Sequence, residues 1–175
     1  MKRIAIWIVS VVVLSALVHV GTVWSLPRLI MSRVMTVVAG GAAANVMLNQ
    51  PRPDDKTRVV VRPSPDLAYS MCALDLSKGA VHVVVPLSAP YTSVALYSAA
   101  TDNFFVRNDR ETNGAPLDLV VVGKGQPMPT NLPPVTTLVE SPTSKALVLV
   151  RRVIENDASF PALDQLRQTA SCSLL

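Results

Sequence analysis

The feature that most constrains this chain is an uninterrupted apolar segment close to its beginning. Ile4–Leu26 contains 23 residues without Asp, Glu, Lys or Arg, and 17 of them are hydrophobic. A helix of that length rises about 34 Å, enough to cross the ~30 Å hydrocarbon core of a bilayer. Trp7 and Trp24 lie near its two ends, where interfacial aromatic residues are expected. The segment therefore predicts a single transmembrane helix, which Pro27 is expected to end or kink.

A cleaved signal peptide is the main alternative to an uncleaved anchor, because both begin with basic residues, here Lys2 and Arg3. Signal peptides have hydrophobic cores of about 7–15 residues that end in a small-x-small cleavage site. The apolar segment is longer than that, and Thr22–Leu26 does not match such a site. We therefore expect a single-pass anchor in a bacterial inner membrane, with a cytoplasmic N-terminus and a periplasmic C-terminal domain. Arg28 and Arg33 leave the positive-inside rule with only a weak preference.

Four polar residues follow one face of the predicted helix at spacings of 4, 3 and 3: Ser15, His19, Thr22 and Ser25. We call this set the polar stripe. Polar side chains in hydrocarbon seek hydrogen-bonding partners, and an ionisable residue there usually has a function. The stripe therefore either contacts a helix of another membrane subunit, or leaves a neutral His19 near enough to the interface to stay hydrated.

The segment after the anchor is again apolar, but charge and glycine interrupt it. Leu29–Leu48 includes Arg33 and breaks at Gly40-Gly41. It is expected either to lie on the membrane surface or to pack onto the outer domain. Asn49–Lys56 is proline-rich, charged and aperiodic, and is expected to be a linker or a loop leading into that domain. The predicted organisation is an anchor at 1–26, a membrane-proximal helix and linker at 27–56, and an outer domain at 57–175.

From residue 57 onward, short β-prone runs alternate with turn residues. Seven or eight such runs predict a mainly β fold, an antiparallel β-sandwich or jelly roll. Ser77–Gly79 is expected to be a hairpin-like turn between adjacent strands, and Pro161–Ser171 a short closing helix. The expected strands are Arg58–Arg62, Leu67–Leu76, Ala80–Val85, Thr92–Ala100, Phe104–Arg107, Leu117–Val122, Val135–Val139 and Ala146–Ile154.

The sequence carries none of the usual catalytic or cofactor signatures. It has no Gly-x-Ser-x-Gly, no phosphate-binding glycine loop and no Cys or His pair with zinc-ligand spacing. His82 lies in a Val-rich run and is expected to be a surface or hydrogen-bonded strand residue. We assign no catalytic residue, cofactor or metal. The net charge of +4 does not indicate a nucleic-acid partner, since residues 27–175 hold 14 basic and 12 acidic side chains.

Five residues are candidates for binding a small molecule or an envelope glycan at one end of the sandwich: Arg62, Tyr69, Tyr97, Asp102 and Asn103. Aromatic rings and polar side chains suit such ligands. The structural alternative is that the tyrosines belong to the core and that Asp102 and Asn103 stabilise turns.

Cys72 and Cys172 are the two cysteines, 100 residues apart. In an oxidising compartment two cysteines commonly pair, and closing so long a loop is worth ~4–5 kcal/mol in the chain-entropy model. We predict this disulfide. The alternative is a buried free cysteine and a frayed C-terminal tail.

Several motifs together resemble one bacterial family. They are Arg62–Ser70, Leu74–Gly79, Tyr91–Ser93 and Thr101–Phe105. They are similar to the family catalogued as domain of unknown function 1254, in its short membrane-anchored form, over roughly Pro51 to Gln168. The resemblance implies a β-sandwich outside the inner membrane of a Gram-negative bacterium. It transfers no catalytic residue, because the family has no settled activity, and Ala80 departs from its pattern by replacing an expected proline.

These observations favour a non-catalytic accessory or scaffolding subunit, which contacts the lipid bilayer and other integral membrane subunits. A periplasmic module that binds a small molecule or an envelope glycan is the alternative. An unrecognised enzyme is the third hypothesis.

Overall fold

The computed structural model describes residues 2–39, 44–54, 56–57, 63–130 and 132–175 of the chain. Within these ranges a long helix precedes nine strands and a short helix, so the predicted mainly β fold is confirmed. The predicted strand at 58–62 lies outside the described residues. The helices are α1 (Lys2–Ala39) and α2 (Phe160–Arg167), and the strands are β1 (Met47–Asn49), β2 (Leu67–Asp75), β3 (Val81–Val85), β4 (Thr92–Ser98), β5 (Asn103–Asn108), β6 (Leu117–Gly123), β7 (Thr137–Ser141), β8 (Lys145–Val153) and β9 (Ser171–Leu174).

Helix α1 continues through Pro27, so the expectation that this proline could end the helix is wrong. The side chain of Arg28 donates a hydrogen bond to the carbonyl oxygen of Trp24, beside the proline. Beyond it, Met31 and Val38 are buried against the outer domain, and this packing holds the helical turns that follow the proline. Lys2–Val38 is long and apolar enough to cross a membrane, a property that anchors share with signal sequences.

Two sheets face each other and form the sandwich. The five-stranded sheet has the order β1-β2-β8-β4-β5, and all of its neighbouring strands are antiparallel. The four-stranded sheet has the order β7-β6-β3-β9, in which β6 and β7 run parallel. Parallel neighbours need a long crossover, and 13 residues separate Gly123 from Thr137. The other strand pairs are antiparallel, as the sequence predicts for the sandwich.

The connection between β2 and β3 crosses from one sheet to the other, so the predicted hairpin at Ser77–Gly79 is wrong. A 3₁₀ turn at Leu76–Lys78 makes the crossing, and the side chain of Leu76 is fully buried. The Asp75 carboxylate accepts hydrogen bonds from the backbone N–H and the hydroxyl of Ser77. Gly79 has a φ of 140°, in the region that favours glycine.

The core lies between the sheets and is built from alternate residues of their strands. Both sheets contribute mainly valine and leucine, and the core includes both cysteines. Strand β6 is flanked by β3 and β7, and four successive residues of it, Leu119–Val122, are buried. This burial agrees with the continuous apolar run expected of a central strand.

A disulfide joins Cys72 on β2 to Cys172 on β9, with an S–S distance of 2.03 Å. It therefore links the two sheets across the core. Strand β9 is short and pairs with β3 alone, with Cys172 in register with Val83. The bridge gives this edge strand a second attachment, and residues 171–174 are a strand rather than a frayed tail.

The variant Cys72→Ala/Cys172→Ala is expected to lose about 3–5 kcal/mol of unfolding free energy, because the bridge closes a 100-residue loop. Urea titration of the full chain in mild detergent, followed by circular dichroism, measures the change. Reduction of the wild-type protein should produce a similar shift. Two free thiols in protein purified without reductant, detected by mass spectrometry, would contradict the pairing.

Candidate functional site

The polar stripe lies on the part of α1 that precedes the sandwich. Ser15, His19 and Thr22 are exposed, and their side chains make no hydrogen bond within the described part of the chain. Ser25 differs, because its hydroxyl donates to the carbonyl oxygen of Gly21 at 2.7 Å. The three free side chains line a shallow groove on the helix surface together with Val11, Leu14 and Val18. In hydrocarbon these unsatisfied donors and acceptors would favour a polar partner.

The C-terminal turns of α1 pack against the outer face of the five-stranded sheet. The helix contributes residues spaced i, i+3, i+4 and i+7, one face of a helix. Met31 and Val38 are 6% and 4% exposed. We call this contact the helix–sheet seam; its members are Met31, Val34, Met35 and Val38 of α1, Tyr69 and Met71 of β2, Tyr97 of β4, and Leu147 and Leu149 of β8.

The seam decides between the two arrangements left open for the membrane-proximal segment. Met31, Val34, Met35 and Val38 pack onto the outer face of the five-stranded sheet, as expected of a helix that packs onto the outer domain. Met31 follows Leu26 by five residues, about 7 Å along a helix. The sandwich is therefore held close to the end of the apolar segment without a flexible connection. The chain then enters β1, which takes in Asn49, the first residue of the expected linker.

The structure places four of the five candidate ligand residues in structural roles. Tyr69 and Tyr97 belong to the seam, and the Tyr69 hydroxyl accepts a hydrogen bond from the Ser64 N–H at 3.0 Å. Asp102 accepts from the Ser98 hydroxyl in the turn between β4 and β5. Asn103 is the register partner of Tyr97, and its amide donates to two backbone carbonyl oxygens. Arg62 lies outside the described residues.

A small polar pocket of about 200 Å³ lies between β5 and β7 and includes Arg107, Asp118 and Thr137. The Arg107 guanidinium donates to the Thr137 hydroxyl at 2.5 Å. Asp118 lies 2.9 Å from His82 Nε2, so the expectation that His82 is a hydrogen-bonded strand residue is confirmed. The pocket is smaller than typical ligand sites of about 300–1,000 Å³. Its charged groups serve to join neighbouring elements of the sandwich.

Arg152 is a buried charge that the sequence analysis missed. It lies on β8 between Ala68 and Thr92, and its side chain is fully buried. One nitrogen, Nη2, donates to the Pro86 carbonyl oxygen at 3.2 Å, whereas Nε and Nη1 have no partner within the described part of the chain. Burial, with a smaller contribution from Arg167, lowers the pKa of Arg152 from its usual value to about 10.

The lowered pKa means that the charged guanidinium destabilises the folded state at neutral pH by roughly 3 kcal/mol. Folded Arg152 loses its proton more readily than unfolded Arg152, so this cost is relieved only as pH rises above about 10. Arg167 nearby is well paired instead. Its Nε donates to Asp164 at 2.6 Å and its Nη1 to the carbonyl oxygens of Gln50 and Tyr69.

Comparison with known proteins identifies one family and a shared fold. The family described as "Protein of unknown function (DUF1254)" matches residues 44–173. The VPA0106 protein from Vibrio parahaemolyticus has a TM-score of 0.62 and 12% identity, over 83% of this chain and 35% of its own. An uncharacterized protein from Burkholderia cenocepacia has a TM-score of 0.48 and 12% identity, over 74% of this chain and 37% of its own.

The likeness to the Vibrio protein shows a shared fold. The chain spans just over a third of the length of either structure. No curated protein matches it.

Replacing Arg152 by Met is expected to raise the unfolding free energy by about 1–3 kcal/mol, because an apolar side chain removes a buried charge without a carboxylate partner. Arg167→Met is the matched control and should lower it by about 2–4 kcal/mol, since Asp164 and two carbonyl oxygens lose their donor. Urea titration of the full chain in detergent gives both values. If Arg152→Met lowered the unfolding free energy by more than 1 kcal/mol, the conclusion that the buried charge destabilises the folded state would be contradicted.

Placing a carboxylate in the seam should release the end of α1 from the sandwich. Leu147 is 5% exposed, so Leu147→Asp would bury an unpaired charge against the helix. We expect amide hydrogen exchange over Val34–Val38 to accelerate by about 100-fold, which corresponds to roughly 2.7 kcal/mol. Val106→Asp is the control in the same sheet, where the side chain is 58% exposed and exchange should stay unchanged. Equal exchange in both variants would show that the seam does not hold the helix.

Proposed function

Since the chain belongs to the DUF1254 family of proteins of unknown function, we propose that it is a non-catalytic accessory or scaffolding subunit of a larger membrane protein assembly. Helix α1 anchors it in the inner membrane of a Gram-negative bacterium, with the N-terminus in the cytoplasm. The β-sandwich lies in the periplasm beside the membrane. The partner is another integral membrane subunit, which contacts the polar stripe.

The unpartnered side chain of His19 carries this proposal. It lies seven residues before Leu26, about 10 Å inside the end of the apolar segment. The imidazole has two ring nitrogens, and each of them needs a hydrogen-bonding partner at that depth. Ser15 and Thr22 on the same face are also unpaired within the described residues, which favours a partner helix over hydration from the interface.

The direction of the stripe supports a role beside a second membrane protein. At 100° per residue, the centre of the stripe and the centre of the α1 residues in the seam are roughly 160° apart around the helix. The stripe therefore points away from the sandwich. A helix bound there could leave the membrane without colliding with the outer domain.

The disulfide supports the periplasmic placement of the sandwich. Cys72 and Cys172 are paired, and disulfides persist in oxidising compartments such as the periplasm. A long apolar helix near the N-terminus suggests an anchor or a signal sequence. An apolar segment longer than a signal peptide's hydrophobic core, with no small-x-small site in Thr22–Leu26, favours an anchor.

Binding of a small molecule or a glycan has less support. Tyr69 and Tyr97 are part of the seam, and Asp102 and Asn103 hydrogen-bond within the sheet and its turn. These side chains already have structural roles, so no second function is proposed for them.

The double variant Ser15→Leu/His19→Leu is expected to dissociate from the assembly, because it removes the polar groups that would form hydrogen bonds with a partner helix. Ser10→Leu is the matched control, since Ser10 lies nine residues from His19 and roughly on the opposite side of α1. Native gel electrophoresis of mildly solubilised membranes, combined with mass measurement, compares the two variants with the wild type.

Wild-type protein and Ser10→Leu should migrate in a complex heavier than the 18.7 kDa chain, and the double variant should migrate alone. A wild-type monomer, a complex of this chain only, or a double variant that stays in the complex would each contradict the accessory role.

A further inference from the structure

A cleft of about 460 Å³ separates the first turns of α1 beyond the apolar segment from one end of the five-stranded sheet. Arg28 and Met35 lie on the helix side. The sheet side is formed where β2 and β4 end and β8 begins, at Ala73, Ala99 and Lys145. The volume falls within the range of about 300–1,000 Å³ that is usual for ligand sites.

The surface of the cleft is mostly apolar and is formed largely by small or flexible side chains. The helix contributes the flexible side chains of Met31 and Met35, and the sheet contributes Ala73, Ala99 and Ala100. Methionine adapts to irregular apolar partners, and alanine leaves room beside the backbone. These walls suit a flexible apolar chain.

Two cations lie at the same cleft. The guanidinium of Arg28 stacks over the ring of Trp24, 4.2 Å from its centroid, which places the charge at the level of the interfacial tryptophan. Lys145 begins β8 on the opposite wall and is exposed. Within the described part of the chain, neither side chain has a carboxylate within 4.0 Å.

Asp75 is the carboxylate on the wall of the cleft. The pKa of Asp75 is held below 3.8 mainly by hydrogen bonds from the Ser77 hydroxyl and the Ser77 backbone N–H. The carboxyl group is therefore ionised at neutral pH. Its Oδ1 accepts these two bonds, and Asp75 is also the register partner of Lys145, whose charge contributes to the lowered pKa. The described charged side chains that line the cleft are Arg28, Lys145 and Asp75, so their charges sum to +1. The site thus combines apolar walls with a net positive charge.

We propose that this cleft binds an anionic phospholipid from the leaflet in which the apolar segment of α1 ends. Arg28 follows Leu26 by two residues, so the cleft opens at the depth of the headgroups. Its basic side chains face the lipid phosphate, and its methionine and alanine walls contact the glycerol and the upper acyl chain. The inference rests on the anchoring step of the proposed function and does not depend on a partner subunit.

The test uses the full chain in vesicles of phosphatidylcholine and phosphatidylglycerol. Flotation after alkaline extraction first shows whether the chain is embedded. The embedded protein is then extracted gently, and the lipids that remain bound are counted by native mass spectrometry. The wild type should retain about one phosphatidylglycerol per chain, in preference to phosphatidylcholine.

Lys145→Gln should lower phosphatidylglycerol retention by about 5-fold, and Arg28→Gln/Lys145→Gln by about 25-fold, because each cation near the surface is worth about 1 kcal/mol. Lys56→Gln is the matched control, since Lys56 is an exposed lysine outside the cleft and should bind lipid as the wild type does. An intact disulfide and an unchanged circular dichroism spectrum show that each variant is folded.

The outcomes separate the two proposals. A chain that does not float with vesicles overturns the anchor and the lipid site together. A chain that floats but retains both lipids equally, or loses no phosphatidylglycerol in the double variant, overturns the lipid site and leaves the anchor standing.

Discussion

The packing of α1 against the five-stranded sheet is the contact on which the rest of the arrangement depends. The outer face of this sheet presents Met71, Leu147 and two tyrosines, which would otherwise form an exposed apolar patch. Burial of such side chains stabilises by about 25 cal/mol per Å² removed from water. Helix α1 therefore acts as a third layer of the sandwich as well as the segment that is apolar enough to span a membrane. Removing its last turns would leave the sheet without a cover.

Because one helix serves both purposes, the position of the outer domain follows from the position of the helix. A flexible linker would let the sandwich move freely above a membrane, whereas Met31 and Val38 hold it against the helix within a few turns of Leu26. The cleft at Arg28 and Lys145 exists for the same reason, since its two walls belong to the helix and to the sheet that the seam brings together.

Much of this fold could be predicted from the sequence, because the strongest patterns have one physical solution. A 23-residue apolar run favours a membrane-spanning helix, and Val-rich runs between turn residues favour strands of a sandwich. The turn at Ser77–Gly79 was ambiguous, since a hairpin and a crossing between sheets both use Ser, Lys and Gly. The seam was ambiguous for a different reason. Residues spaced as Met31 to Val38 are equally suited to a lipid surface and to a protein surface.

Strand β9 and the buried Arg152 were also missed, for different reasons. Strand β9 has four residues and pairs on one side only. Four residues are too few to show the alternation of apolar and polar side chains from which a strand is predicted. Arg152 is different, because it continues the alternation of Val148 and Val150, which face the core. That alternation predicts an inward-facing arginine, an arrangement that burial normally disfavours. The general exposure of charged side chains conflicts here with the alternation of inward and outward residues along β8. Arg152 follows the alternation and is buried.

The two faces of α1 have different neighbours, and this division connects the fold with the proposed role. The seam occupies one side of the helix beyond Pro27, and the polar stripe occupies roughly the opposite side before it. A partner helix at His19 and a lipid between Arg28 and Lys145 would therefore not compete for the same surface. The sandwich could remain attached to α1 while both sites are filled. A chain with one long N-terminal helix and one small domain could in this way hold a partner, a lipid and an outer domain in fixed relative positions.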